Sequence, residues 1–253
     1  MWIRLALAVV LIATAAEPAR PQSAPVGRGL TGSWEAYPSR GEGFGSGVQP
    51  KTPPPRPAPV PEPPLKQPHL DEWRTLQKRN AELTQKGLPP VTTGMACIGE
   101  GMPAMMQATF PMEILETPGQ VTIVQEAYNQ VRRVYLDAPP LAPEDAEPRF
   151  AGHSTGRWQG DTLVVETVGI KESTQFRNTP HSTKMRITER FRLLDDEMLE
   201  NRVTIDDPEY LTKPWSWTWM YKRWPGYQIQ EYVCEDNRYF EDPQLRYQRL
   251  KVN

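Results

Sequence analysis

The sequence predicts a mainly β protein: an antiparallel meander that forms a barrel or a strongly curved sheet, with one N-terminal helix packed on it. From residue 112 onward, apolar and polar residues alternate with the period of two that is typical of half-buried strands. Turn residues such as Pro118-Gly119 and Pro225-Gly226 separate these runs. The sequence has no strand–helix alternation, no glycine-rich phosphate loop and no Gly-x-Ser-x-Gly elbow, which argues against nucleotide-dependent enzymes and α/β-hydrolases.

Residues 1–16 have the pattern of a secretory signal peptide. Arg4 precedes an apolar run over residues 5–16, and residues 13–15 read Ala-Thr-Ala, a small-x-small cleavage site. This run is too short to cross a bilayer core of about 30 Å, so we expect cleavage rather than a membrane anchor. The sequence therefore predicts a periplasmic or secreted protein with no integral membrane segment after signal cleavage.

Residues 17–68 are predicted to be a disordered, proline-rich lead-in. Ten of the nineteen residues from 50 to 68 are proline, a composition that favours extended polyproline II. A stiff spacer is the first interpretation, and docking of a protein partner on this arm is the alternative. Within the lead-in, residues 30–37 alternate in polarity and are a candidate first strand.

Residues 70–86 are predicted to be helical, at the start of a single domain over residues 69–240 that is followed by a tail, residues 241–253. Leu70, Trp73 and Leu76 fall on one helical stripe, and Gly87 is a natural C-cap. We expect the Trp73 side of this helix to pack on the sheet.

Nine segments after the helix alternate as strands do. They are residues 112–116, 121–127, 131–136, 153–158, 162–169, 185–193, 198–206, 215–222 and 228–234. The best defined hairpin covers residues 152–167, where Gly160 supplies the positive φ of a tight turn. Its alternation places Trp158 and Leu163 toward the core and Arg157 toward water.

Polar side chains fall on four strand faces that are otherwise apolar, at Arg132, Glu189, Asn201 and Glu231. An unpaired buried charge is costly, so these groups must pair, shift their pKa or face water. One interpretation is a closed internal Arg–Glu hydrogen-bond network. The other is the polar floor of a ligand cavity, in which Arg132 and Asn201 orient the ligand and Glu189 or Glu231 is the catalytic acid or base of an enzyme.

Trp215, Trp217 and Trp219 alternate on one face of a predicted strand. Such a stripe is either core packing or the wall of a pocket for an aromatic or apolar ligand. His153, on the opening hairpin, and His181, in a loop beside a serine, are candidates for the rim of the barrel.

Cys97 and Cys234 both lie in the exported part of the chain, where two thiols predict one disulfide; two separate buried thiols are the alternative. The three histidines are scattered and no Cys-x-x-Cys spacing occurs, so we expect neither a metal site nor a cofactor. A net charge of −2 gives no broad attraction to nucleic acid.

Several of these blocks together resemble a widespread, uncharacterised family of exported bacterial proteins. The blocks are Cys97 with Gly101-Met102-Pro103, the hairpin Gly-His-Ser-Thr-Gly-Arg-Trp-Gln-Gly-Asp-Thr-Leu-Val-Val, and Glu231-Tyr232-Val233-Cys234. The chain departs from the family pattern at Gln159, where the family usually has Glu. Gly32-Ser33-Trp34 followed by a meander is also similar to lipocalin-like barrels, and this resemblance implies a small-molecule cavity open at one end.

Three functions are therefore considered. The first is an exported β-barrel that binds a small apolar or aromatic ligand. The second is a cofactor-independent lyase, isomerase or hydrolase that uses a buried carboxylate as acid–base. The third is an envelope interaction protein that acts through its proline-rich arm.

Overall fold

The computed structural model describes residues 28–39, 45–88, 90, 98–233, 239–242 and 247–250. Within these ranges nine strands close into a barrel in which each strand pairs with the next and β9 pairs with β1. The strands are β1 (Gly32–Tyr37), β2 (Met112–Thr117), β3 (Gln120–Gln125), β4 (Gln130–Leu136), β5 (His153–Gln159), β6 (Thr162–Val168), β7 (Arg186–Leu193), β8 (Met198–Asp206) and β9 (Trp215–Arg223). A separate two-stranded sheet contains β10 (Tyr239–Asp242) and β11 (Tyr247–Leu250). The predicted fold class, a mainly β barrel with one helix, is confirmed.

The first strand closes the barrel although it lies upstream of the proline run. Trp34 is opposite Met112 of β2 on one side and opposite Arg223 of β9 on the other. The Trp34 side chain is fully buried, and its indole Nε1 donates a hydrogen bond to the Leu30 carbonyl at 2.9 Å. The barrel therefore begins well before the helix.

The strands do not form the fully antiparallel meander that was predicted, because β4 and β5 are parallel. Their pairing is short, from Val134 opposite Ser154 to Leu136 opposite Gly156. Residues 137–152 carry the chain back along the barrel instead of reversing it in a tight turn, so β5 runs in the direction of β4. Gly156 is required here, since a Cβ atom would lie 2.7 Å from Cγ1 of Val134.

The hairpin of β5 and β6 has the predicted two-residue loop. Gln159 is opposite Thr162, which leaves Gly160 and Asp161 as the turn, and Gly160 has a φ of +64°. This turn geometry favours glycine because an L side chain is strained at positive φ.

The ninth predicted strand, residues 228–234, is not a strand over its described part, residues 228–233. The reason is that β1 already occupies the free edge of β9, so the chain that follows has no edge to join. The Trp224 amide still donates to the Ser33 carbonyl at 2.8 Å, and the chain then leaves the barrel.

The helix α1 (His69–Gln85) packs on the outside of the barrel through Trp73. The Trp73 indole Nε1 donates to the Arg177 carbonyl at 3.0 Å, and Asn80 Nδ2 donates to Asn178 Oδ1 at 3.3 Å. Among the described residues, no helix is both long and apolar enough to cross a membrane. The signal pattern at residues 1–16 lies outside the described residues.

Candidate functional site

The interior of the barrel contains a hydrogen-bonded network centred on Arg132. The side chains of Arg132, Glu189 and Asn201 are at most 1 % exposed, because strand alternation points each of them inward. Arg132 Nη2 donates to a carboxylate oxygen of Glu189, and its Nε donates to Ser154 Oγ at 3.1 Å. Arg132 Nη2 also donates to Thr167 Oγ1 at 2.9 Å.

Asn201 extends this network to the opposite wall of the barrel. Its Nδ2 donates to Glu189 Oε1 at 3.0 Å and approaches the Tyr221 hydroxyl at 3.4 Å. The Tyr221 hydroxyl in turn donates to the Met106 carbonyl at 2.6 Å. Burial raises the pKa of the Tyr221 phenol far above its usual range, so this hydroxyl remains a donor.

The network is closed to solvent. With Glu189 fully buried, no water-sized space touches its carboxylate, and the pockets described below are lined by none of the network's charged groups. Arg132 Nη1 and Asn201 Oδ1 hydrogen-bond to no atom in the described part of the chain. This geometry matches a closed internal Arg–Glu network rather than the polar floor of a ligand cavity.

The three tryptophans of β9 fill one end of the barrel. Trp215, Trp217 and Trp219 all point inward, and the ring of Phe176 lies against them with centroid distances of 5.8, 5.2 and 5.6 Å respectively. The cavity beside Trp215 has a volume of only about 20 Å³, which is room for a single water molecule. Inside this end of the barrel the stripe is therefore core packing, and Trp217 also borders the groove outside the barrel that is described below.

Glu231 is not an interior residue, and the prediction that it points inward is wrong. It is exposed, and the segment that carries it pairs with no strand. His153 lies on the outside of β5, where its Nε2 is 2.8 Å from the Glu147 carbonyl oxygen. Neither residue contacts Glu189 in the described structure.

His181 is buried in the loop between β6 and β7. Its Nδ1 lies 3.1 Å from the Ser182 carbonyl and its Nε2 lies 2.8 Å from the Thr174 carbonyl. The Ser182 hydroxyl donates to Asp207 Oδ1 at 2.9 Å and not to the imidazole, so these residues are not arranged as a nucleophile and its base. In the part of the chain that the structure describes, no cluster of three His, Cys, Asp or Glu side chains could hold a metal ion.

The proline-rich segment is bound to the barrel instead of being a free spacer. We call residues 45–65 the proline strap. At its start, Lys222 Nζ donates to Glu35 Oε1 at 2.7 Å and to Ser46 Oγ at 2.9 Å, and the Ser46 amide donates to Glu35 Oε2 at 2.5 Å. Lys222 and Glu35 lie on the outer face of the barrel but are buried, because the strap covers them.

The far end of the strap is held by the loop before β9 and by β9 itself. The Trp215 indole Nε1 donates to the Pro61 carbonyl at 3.0 Å, and the Thr212 amide donates to the Pro64 carbonyl at 2.8 Å. In contrast, no described hydrogen bond joins residues 55–59 to the barrel. The strap is therefore anchored at both ends and spans the sheet between them.

A groove of about 510 Å³ lies between this span and the outer face of β8 and β9. It is lined by Pro54, Pro55, Pro57, Ala58, Pro59, Pro61, Leu194, Glu200, Ser216, Trp217, Thr218 and Met220. Sequence reasoning missed this strap groove, although both of its signals were visible: a rigid proline run and a strand with small polar outward residues. The sequence does not show that the proline run lies against the outer face of this strand.

No protein-family model matches the chain, and no curated protein is similar to it in sequence. The resemblance to exported bacterial proteins and to lipocalin-like barrels therefore stays a prediction. Cys97 and Cys234 both lie outside the described residues.

Proposed function

We propose that the protein binds a small aromatic molecule in the strap groove, outside the barrel. One observation carries this proposal: the open volume of about 510 Å³ lies beneath the proline strap, whereas the barrel interior is filled. Ligand pockets in proteins typically have volumes of about 300–1,000 Å³. A groove of this size suits a ligand of one to three fused or linked rings.

The lining of the groove favours a flat apolar ligand with a few polar groups. Proline rings on the strap face Leu194 and Met220 on the barrel, which gives two apolar walls. Proline-rich chains and aromatic rings recur as complementary surfaces in protein recognition, because the polyproline II chain is rigid and exposes its rings. The hydroxyls of Ser216 and Thr218 supply hydrogen-bonding groups that orient a ligand.

The strap is already ordered before any ligand arrives. Proline fixes φ, and the anchors at Ser46 and Pro61 hold the two ends of the span. A preformed wall loses little conformational entropy on binding, so more of the contact energy becomes affinity. Because both ends of the arm are held, we do not assign it the role of a free docking arm.

An acid–base role for Glu189 is not part of this proposal. A substrate must reach within hydrogen-bonding distance of a catalytic carboxylate, and no water-sized space touches that of Glu189. The charge of Glu189 is already matched by Arg132. Glu231 is not retained either, since it is exposed and does not line the groove.

We further infer that the protein acts outside the cytoplasm, with a disulfide between Cys97 and Cys234. The signal pattern at residues 1–16 supports export. Described residues a few positions from each cysteine lie at one turn: the Gly101 amide donates to Gln130 Oε1 at 2.8 Å, and Asn129 Nδ2 donates to the Tyr232 carbonyl at 2.7 Å. Peptide mapping without a reducing agent tests the linkage.

The binding proposal is tested with N-phenyl-1-naphthylamine, a neutral aromatic probe that fluoresces in apolar sites. We expect the wild-type chain to bind it, and Ser216→Trp to raise the dissociation constant at least about tenfold, because the indole occupies the groove. Thr122→Trp is the matched control, since Thr122 lies on the outer face of β3 and does not line the groove. Absence of binding, or equal affinity for both tryptophan variants, would refute the proposal.

A further inference from the structure

The outer face next to the strap groove carries a cluster of arginines. Arg190 and Arg192 of β7 and Arg202 of β8 surround a depression of about 290 Å³, together with Thr162 of β6. Two carboxylates, those of Asp161 and Glu200, also line it. The three guanidinium groups exceed the two carboxylates, so the depression has an excess of positive charge.

The register of the strands places two of these arginines directly opposite each other. Arg190 is the cross-strand partner of Arg202. Like charges in this position repel and destabilise a sheet. The described partner of Arg190 is a neutral one, the amide oxygen of Gln159 at 3.4 Å. An anion between these two side chains would relieve the repulsion.

Glu200 holds the other two arginines in place without covering them. Its Oε1 lies 3.0 Å from Arg202 Nε and 3.4 Å from Arg192 Nη2, and its Oε2 accepts a hydrogen bond from Arg202 Nη2 at 3.3 Å. The Glu200 side chain is only 14 % exposed, whereas those of Arg192 and Arg202 are 42 % and 60 % exposed. The guanidinium groups therefore keep N–H donors free to face an incoming ligand.

The arginine depression and the strap groove are continuous. Glu200 lines both, and the register places Arg202 opposite Thr218 and Glu200 opposite Met220, both of which line the groove. A ring lying on Met220 and Thr218 thus has the side chains of Glu200 and Arg202 on the neighbouring strand. Apolar walls and cationic donors meet there in a single elongated site.

We propose that the ligand of the strap groove is an aromatic carboxylate, with its rings under the strap and its carboxylate on Arg202 and the neighbouring arginines. This inference rests on the proposed binding function and adds the charge and chemical class of the ligand. The planar fork of an arginine matches a carboxylate in two parallel hydrogen bonds, which are stronger than bonds between neutral groups. Charge complementarity therefore selects an acid over its neutral analogue.

The experiment measures displacement of bound N-phenyl-1-naphthylamine by 2-naphthoate and by 2-naphthamide, which has the same rings and no charge. For the wild-type chain we expect 2-naphthoate to compete at about tenfold lower concentration than the amide. Arg202→Gln should remove this preference, so that 2-naphthoate and 2-naphthamide compete at the same concentration. Arg157→Gln, on an exposed arginine of β5, is the matched control and should keep the preference.

The outcomes separate this inference from the function on which it rests. Probe binding with equal competition by acid and amide overturns the carboxylate assignment and leaves an apolar site. Retention of the preference in Arg202→Gln also overturns it, because the arginine then does not contact the acid. Failure of the probe to bind overturns both proposals.

Discussion

Glu189 and Arg132 form an ion pair in the centre of the barrel, at most 1 % exposed. A buried pair of this kind adds little net stability compared with apolar residues, because both charges were removed from water. Removal of only one of the two charges is strongly destabilising, because the remaining charge is then buried in a low-dielectric interior without a partner.

We expect Glu189→Gln to lower the free energy of unfolding by about 3–5 kcal/mol, because the Arg132 guanidinium is left buried without a counter-charge. Urea unfolding followed by tryptophan fluorescence measures this change. Glu166→Gln is the matched control on the surface: Glu166 pairs with Arg186 at 3.2 Å where both side chains are partly exposed, and its loss should cost less than about 1 kcal/mol. Equal losses in the two variants would contradict a buried pair.

Alkaline conditions should destabilise the barrel through Tyr221. Burial raises the pKa of its phenol above the value of about 10 found in an unfolded chain. Above about pH 10 the unfolded chain therefore releases a proton that the folded chain keeps, and stability falls as the pH rises, by about 1.4 kcal/mol for each pH unit.

Tyr128 acts in the same direction, since burial raises its pKa to about 12. Tyr221→Phe should be less stable at neutral pH, where it loses the hydrogen bond to the Met106 carbonyl, but should show a shallower alkaline decline. Unfolding free energies measured at a series of pH values give both slopes. If the free energy of unfolding falls with pH equally steeply in the wild type and the variant, the pKa of Tyr221 is not raised by folding.

The direction of a side chain, into the barrel or out of it, was predictable from the sequence where it depends on the alternation of a single strand. The inward direction of Glu189, Asn201 and Arg132 follows from alternation alone, because each lies in a strand whose other inward residues are apolar. Glu231 has the same alternation and yet lies on the surface. Alternation gives the face of a strand only if the strand forms, and here β1 occupies the edge that it would need.

Among the elements, the proline strap differs most from its prediction. Its extended conformation follows from its composition, but its contacts join positions that are far apart in the sequence, such as Pro61 with Trp215 and Leu65 with Leu211. A local pattern contains no information on such pairs. The strap groove was therefore not predictable from the sequence, although the proline run and the strand that form its walls were both recognised.

The buried contact of Lys222 with Glu35 and Ser46 should decide whether the strap stays on the barrel. Lys222→Met leaves the Glu35 carboxylate buried without its cation, so we expect a loss of about 3 kcal/mol of unfolding free energy. The strap should also detach at this end, and limited proteolysis with trypsin should then cut faster after Lys51.

Lys184→Met is the control for this prediction. Lys184 also pairs with a glutamate, Glu209, at 2.7 Å, but both side chains are well exposed. We expect no change in the rate of cleavage after Lys51. If the two lysine variants are cleaved at the same rate, the strap is not held by the Lys222 contact.

At the scale of the whole molecule, the sequence predicted a barrel but did not decide whether its interior is filled or contains a ligand cavity. The number and alternation of the strands were sufficient for the fold class, and the residues that enter the interior were largely identified. Whether they enclose a cavity depends on how Phe176 and the tryptophans of β9 pack against each other. Side-chain volumes across a barrel are set by all strands at once, so the filled interior and the external groove emerge only from the folded chain.

The position of β1 also sets the smallest chain that can fold. Without β1 the barrel opens between β2 and β9, and both strands expose unpaired backbone groups along an edge. We therefore expect a variant lacking residues 1–68 to lose the near-ultraviolet circular dichroism of its tryptophan cluster and to aggregate. A variant lacking residues 1–27 keeps β1 and the proline strap, and should remain folded and monomeric by size-exclusion chromatography. A folded, monomeric chain that starts at residue 69 would mean that the barrel closes without its first strand, and the strap groove would then not be a necessary part of the fold.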